Sequence, residues 1–219
     1  MQHLWNAVDE YLQDHFIEAD PVLKAAIDEQ NAAGMPEIQV SPTEGKFLHM
    51  LAQATKAKTI LEIGTLGGYS TILLARALPE GGKLITIEMN PVHAEIARKS
   101  FVRARLADKI ELRLGTALEV LPKLKEEGHV FDFVFIDADK ENNVYYVQHA
   151  LEMSHSGTMM VVDNVIREGD VINHDSTSPM TQGIRRMNEY LRTEKRLEVT
   201  ALQTVGVKEY DGMAFLLVK

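Results

Sequence analysis

Short apolar runs alternate with longer amphipathic stretches along this chain, and that alternation predicts strands separated by helices. Strands are predicted at KTILEIG (58–64), KLITIE (83–88), KIELRL (109–114), FDFVFID (131–137), GTMMVVD (157–163), LEVTALQ (197–203) and MAFLLVK (213–219). Runs such as FVFI and MMVV are too continuously apolar for a sheet with one wet face. They suit parallel strands covered by helices on both sides. Helices are predicted over 69–78, 91–106, 116–127, 140–153 and 180–194, each long enough to serve as a crossover. The turn-rich GVKEYDG joins the last two strands, so these are expected to pair as an antiparallel hairpin. The expected fold class is therefore α/β, a doubly wound and mostly parallel seven-stranded sheet with one antiparallel strand.

Ahead of the first strand, residues 3–17, 20–32 and 42–55 read as three helices. The third has a start signal in SPTEGKFLHMLAQA: Ser41 can cap, Pro42 suits the first helical position, and Glu44 stands three residues after Ser41 as in a capping box. This amino-terminal segment either packs on the sheet or forms a lid over a ligand. The expected organisation is one domain over 1–219, with 1–56 as a helical extension and 57–219 as the sheet core.

Composition narrows the setting. The chain has 219 residues, 45% of them hydrophobic, which is enough for one large core. It has no cysteine, so thiolate nucleophiles and thiolate metal sites are excluded, and any metal must be held by oxygen or imidazole. None of the histidines falls in a metal-binding pair such as H-x-x-x-H. A net charge of -9 argues against a nucleic-acid surface, which needs a concentrated basic face. No stretch reads as a membrane span or a signal peptide, and a cytoplasmic location is expected.

Candidate chemistry begins in ILEIGTLGGYS, which runs from a strand through Gly64, Gly67 and Gly68 into a helix. Such a turn is where an α/β sheet receives a nucleotide-like ligand, and the glycines are expected to let the backbone approach it closely. The spacing is G-x-x-G-G, not the G-x-G-x-x-G that cradles pyrophosphate. Glu62, two residues before Gly64, would oppose a phosphate and tolerate a cation. S-adenosylmethionine fits: it has ribose and adenine, no phosphate, a sulfonium and an amino group. Glu88, at the end of the second strand, can accept from both ribose hydroxyls, and Ser70 can hold the methionine carboxylate at a helix start.

A second group lies at FIDADKENN and VVDNVIREG, where Asp137 and Asp163 each follow an apolar run and should emerge at the carboxyl ends of parallel strands. With Asn164 they form an all-oxygen set suited to magnesium, manganese or calcium. Each acid could equally cap a helix or close a turn. Lys140 beside a metal-bound hydroxyl could take a proton if its surroundings lower its pKa; Asp139 is read as a helix cap. The polar stretch 166–182 is either a cover over the site or a surface excursion, and Arg167, His174 and Met180 within it could line a pocket.

From about residue 38 onward the chain resembles the cation-dependent O-methyltransferases that use S-adenosylmethionine, the family of catechol and caffeoyl-CoA O-methyltransferases. VSPTEGKFL, ILEIGTLGGYS, ITIEMN, FVFIDADKENN and VVDNVIREG carry the resemblance, in order. It implies the Rossmann-like class I methyltransferase fold, a divalent cation (magnesium, with manganese or calcium as alternatives) on Asp137, Asp163 and Asn164, and catalytic roles for Lys140 as general base and Asp137. It places the cofactor at Val40, Glu62, Gly64, Ser70, Glu88, Ala117 and Asp137. Ala138, Asp139 and Leu118 depart from the catechol enzyme around the adenine. The implied acceptor is a small phenol with vicinal hydroxyls (catechol, flavonoid or caffeoyl type). Hydroxylated uridine in transfer RNA, a non-catalytic S-adenosylmethionine-binding protein and a nicotinamide dehydrogenase are the other readings. Relatives pair as dimers, and Leu4, Trp5, Val8, Leu12 and Phe16 offer an amphipathic partner face.

Overall fold

The computed structural model describes residues 1–219. Three helices come first: α1 (Gln2–Phe16), α2 (Pro21–Ala32) and α3 (Pro42–Ala54). Strand and helix then alternate through β1 (Thr59–Ile63), α4 (Tyr69–Ala77), β2 (Lys83–Glu88), α5 (Pro91–Arg103), β3 (Ile110–Leu114) and α6 (Ala117–Glu126). The second half contributes β4 (Phe131–Ile136), α7 (Asn143–Glu152), β5 (Ser154–Asp163), α8 (Pro179–Thr193), β6 (Leu197–Gly206) and β7 (Glu209–Val218). No helix is long and apolar enough to cross a membrane.

The sheet runs β3-β2-β1-β4-β5-β7-β6, parallel except that β7 opposes both of its neighbours. Sequence order turns back between β1 and β4, which makes a crevice at their carboxyl ends, the place where open α/β sheets take ligands. One face is covered by α6, α7 and α8, packing Leu121, Val147 and Met187 against Val134 and Val162. The other is covered by α2 to α5, with Leu48, Ile72 and Phe101 against Ile60 and Phe135. Burial on both faces is the physical reason for the unbroken apolar runs of β4 and β5.

Local signals act as their chemistry dictates. Ser41 Oγ accepts from Glu44 N (3.3 Å) while Glu44 Oε2 accepts from Ser41 N (2.9 Å), a complete capping box at the start of α3. Two predicted elements differ. The helix expected over 140–153 is a 3-10 turn, Lys140–Asn142, followed by α7, because Asn142 (φ -102°, ψ 6°) leaves the helical region. The strands of the last hairpin run into GVKEYDG and leave only Val207 and Lys208 between paired Gly206 and Glu209.

The amino-terminal helices do more than flank the sheet. α2 packs on α4 and α5, α3 packs on α4, and α1 reaches β6 and α3. Buried Asp9 pins α1, accepting from Thr43 Oγ1 (3.1 Å) on α3 and from Val207 N (3.0 Å) in the last hairpin.

Candidate functional site

Strand register decides which acids meet. β1 and β4 pair Glu62 with Phe135, and β4 and β5 pair Ile136 with Val162, so Asp137 and Asp163 end adjacent strands side by side. Side chains alternate along a strand. Since Phe135, Val161 and Met213 all belong to the face beneath α3 and α4, Glu62, Asp137 and Asp163 fall on that face too. Three carboxylates thus converge near the sheet's switch point, under the starts of two helices.

Glu62 is fully buried and meets no cation. Its carboxylate accepts from Ser70 Oγ (2.6 Å), Thr71 Oγ1 (2.5 Å) and Thr86 Oγ1 (2.7 Å), and Thr65 extends the hydroxyl network through Thr86. Burial raises its pKa to about 7 against the pull of these three donors, with Asp137 adding repulsion. Ser70, expected to reach for a cofactor carboxylate, gives its hydroxyl to Glu62 in this structure. Glu88 is likewise buried: Oε2 accepts from Leu66 N (2.9 Å) and Oε1 from Asn90 N (2.8 Å), fastening the glycine turn to the end of β2. Each oxygen keeps a further lone pair for a ligand hydroxyl.

The glycines turn the chain through positive φ at Gly64 and Gly68 and also admit close protein neighbours. A Cβ on Gly64 (φ +102°) would stand 2.1 Å from Asp137 O, so this glycine lets the chain leaving β1 lie directly against the end of β4. A Cβ on Gly67 would meet Gln30 Oε1 at 2.5 Å, and one on Gly68 (φ +88°) would meet Phe101 at 2.6 Å. Close approach is thus to α2, α5 and the neighbouring strand. Buried Gln30, tied to Pro36 O (2.8 Å) and Gln39 Oε1 (2.9 Å), covers the turn from outside.

At the acidic edge, Lys140 is almost entirely buried and its Nζ donates to Asp137 Oδ1 at 2.6 Å. Asp163 has only its neighbour's N-H, Asn164 N at 2.7 Å. Its pKa stands well above the carboxylate range because burial withholds water; repulsion from Asp137 adds to this, attraction to Lys140 opposes it, and Glu44 on α3 pushes the same way as Asp137. Asn164 follows in a left-handed conformation (φ 58°). No group of three or more His, Cys, Asp or Glu gathers as a metal cage; the set here is two carboxylates and one amide.

The remaining expected residues frame this centre. Val40 is buried just before α3, and Ala117 opens α6 after Gly115 N bonds Glu88 O at 2.9 Å. Asp139 is not a side-chain cap: its carboxylate accepts from Tyr146 Oη and Asn142 Nδ2 instead. The stretch after β5 is built, not slack. Asp170 accepts from Ser176 Oγ, Thr181 Oγ1 (2.6 Å) and Asn173 Nδ2 (2.9 Å), bonds that hold its pKa at about 2. Arg167 pairs with Asp211 at 3.7 Å, and Met180 and His174 are exposed. Sequence reading missed Thr71, Thr86, Gln30 and the nearness of Glu44 to Asp163; of these only Glu44 had a signal, its capping box. A cleft of about 330 Å³ lined by Thr59, Lys83, Asp108, Lys109, Glu111 and His129 lies at the opposite edge, away from Glu62, Asp137 and Asp163.

Comparison with known proteins identifies the family. The O-methyltransferase family model matches residues 13–217. A catechol O-methyltransferase from Niastella koreensis is 51% identical over 217 residues, 99% of this chain and 98% of the relative. One from Mycobacterium tuberculosis is 46% identical, covering 97% and 95%. The crystal structure of an O-methyltransferase from Bacillus cereus in complex with SAH superposes over 100% of both chains with a TM-score of 0.98 at 50% identity. This chain belongs to the O-methyltransferase family.

Proposed function

We propose that this protein transfers a methyl group from S-adenosylmethionine to one hydroxyl of a vicinal diphenol that chelates a divalent cation. The observation that carries the reading is Asp163: a buried carboxylate beside Asp137 and within the influence of Glu44, with Lys140 as the balancing cation. Such a surplus of negative charge in a dry place fits a divalent ion bound through the hard oxygens of Asp137, Asp163 and Asn164. When bound, that ion, with magnesium the best match, would stabilise a phenolate at neutral pH.

The chain's own residues have the remaining tasks. Lys140 stands at the cation site, its Nζ donating to Asp137 Oδ1; with Asp137 given over to a bound divalent ion, that amine would be free to lose its own proton and receive the acceptor's. Glu62 and Asp137 set a negative field where the sulfonium would lie, Glu88 offers lone pairs to the ribose, and Gly64, Ser70, Val40 and Ala117 shape the walls. Helices α2 and α3 and the pinned stretch after β5 surround the centre and limit water. The SAH complex of the similar Bacillus cereus enzyme supports this choice of cofactor.

The test is a product-resolved assay of purified protein with S-adenosylmethionine, magnesium and a panel of catechols, coenzyme A esters of caffeic type and transfer RNA. Methylated diphenol, with none formed from the mono-methyl ether, supports the reading; product from transfer RNA alone overturns it. The exposed row Leu4, Val8, Tyr11, Leu12 and Phe16 of α1 supports pairing with a second copy. Light scattering of the full chain and of one starting at residue 36 tests it: a dimer that becomes a monomer is expected, and a full-length monomer would contradict it.

A further inference from the structure

The segment that carries Asn164 is strained and is held from a distance. Asn164 (φ 58°), Arg167 (φ 53°) and Glu168 (φ 55°) all occupy the left-handed region that non-glycine residues avoid. Three such residues within five cannot be maintained by the local chain, and strain of this kind persists only where neighbouring structure enforces it. The enforcement comes from the first turns of β7. Asp211 Oδ1 accepts from Ile166 N (2.9 Å), Arg167 N (3.0 Å) and its own neighbour Gly212 N (2.9 Å). Gly212 O accepts from Val165 N at 3.0 Å. The three backbone N-H groups directly after Asn164 are therefore all satisfied by two residues of β7.

Gly212 is closely packed at this junction. A Cβ there would lie 2.4 Å from Leu202 O on β6 and 2.7 Å from Ile166 Cγ1, so a glycine lets β6 and the Ile166 side chain both lie against this point. Asp211 is largely buried, and its second oxygen faces Arg167 Nη1 at 3.7 Å. Neither residue contributes to the sheet's cores through its side chain, and Asp211 lies outside every group assigned above to cofactor, cation or proton transfer.

We infer that Asp211 is a positioning residue for the cation site: by gripping the backbone of Ile166 and Arg167 it fixes the turn in which Asn164 presents its amide beside Asp163. This rests on the reading of Asp137, Asp163 and Asn164 as cation ligands. Groups that orient ligands in this way change ion affinity by about 10- to 100-fold when removed. A carboxylate serving stability alone would lower the melting temperature and leave ion affinity unchanged.

The experiment is calorimetric and by electron paramagnetic resonance, with manganese(II) as the probe and separate titrations with S-adenosylhomocysteine. Asp211→Ala is expected to weaken manganese binding by about 10- to 100-fold, with S-adenosylhomocysteine affinity within about twofold of the parent. Asp211→Asn keeps an oxygen acceptor at the same place and is expected to restore manganese affinity to within a few-fold. If the alanine variant fails to fold, Asp211→Ser, whose shorter hydroxyl reaches fewer of the N-H groups, takes its place with the same expected direction. Asn164→Ala is the control. Unchanged manganese affinity in a folded Asp211 variant, with the Asn164 variant impaired, overturns the positioning role alone. Unchanged affinity in both overturns the cation reading and this inference with it.

Discussion

Opposite edges of the sheet treat an aspartate in opposite ways. At the amino end of β4, Asp132 is fully provided for: Oδ2 accepts from Lys58 N (2.7 Å), Thr59 N (2.9 Å) and Thr59 Oγ1 (3.0 Å), and Oδ1 faces His155 Nε2 at 2.8 Å. Burial raises its pKa, but the bonds from His155, Lys58 and Thr59 outweigh that and bring it below the usual value. At the carboxyl edge, Asp163 next to Asp137 has one backbone donor and a pKa pushed well up by burial and then by its neighbour. The first acid is finished by the chain and ties β1, β4 and β5 together. The second has a single donor and another carboxylate beside it, and it is on this difference that the proposed cation site rests.

Replacing each acid should split stability from activity. Asp163→Asn is expected to lower kcat/KM by about 10³-fold, the equivalent of roughly 4 kcal/mol of lost charge stabilisation. Its ligand-free melting temperature should hold or rise at neutral pH, because the amide is neutral without the proton that the buried acid must take up. Asp132→Ala should do the reverse, costing about 2 kcal/mol in urea unfolding through orphaned backbone donors while kcat per folded molecule stays within about twofold. A large stability loss in the Asp163 variant would break the contrast. Lys140→Met comes next, with kcat down about 10²-fold as for other general bases, and S-adenosylhomocysteine affinity nearly intact.

The same contrast appears in pH dependence of the ligand-free protein. Glu62 and Asp163 have raised values, so the folded state keeps protons that the unfolded chain releases. Their contribution is fully present below the unfolded value and is lost as pH climbs through the folded one, for Glu62 from 4.5 to about 7. For Glu62 the loss is at most about 3 kcal/mol. Asp132 works the other way and loses its contribution as pH falls. Urea midpoints should thus decline between about pH 5 and 8, and Glu62→Gln should flatten the decline; an unaltered slope in that variant would show that Glu62 does not titrate there. The smallest effect is expected for Gln30→Ala, which uncovers the glycine turn and should weaken S-adenosylhomocysteine binding only about threefold, or roughly 0.6 kcal/mol.

Much of this architecture was legible because its causes are local. Continuous apolar runs report two-sided burial, SPTE reports a capping box, and Asp137 and Asp163 declare themselves by following such runs. What stayed hidden depends on register and long-range approach. Thr86 donates to Glu62 from 24 residues away, and Asp211 grips Ile166 from 45 residues away, separations that no periodicity reports. The glycine turn was legible from its spacing, and Gly64 and Gly68 do adopt positive φ; hidden from the sequence was that its missing Cβ atoms also make room for Asp137 O, Gln30 and Phe101. The 3-10 turn at Lys140–Asn142 escaped notice because its residues carry an ordinary helical pattern.

The most direct test of the acid contrast is methyl transfer to a catechol by chelator-stripped protein as magnesium is added back. No product is expected without the ion, with activity rising to saturation at one ion per chain, and no such rise in Asp163→Asn. Undiminished turnover by the stripped protein would contradict the account.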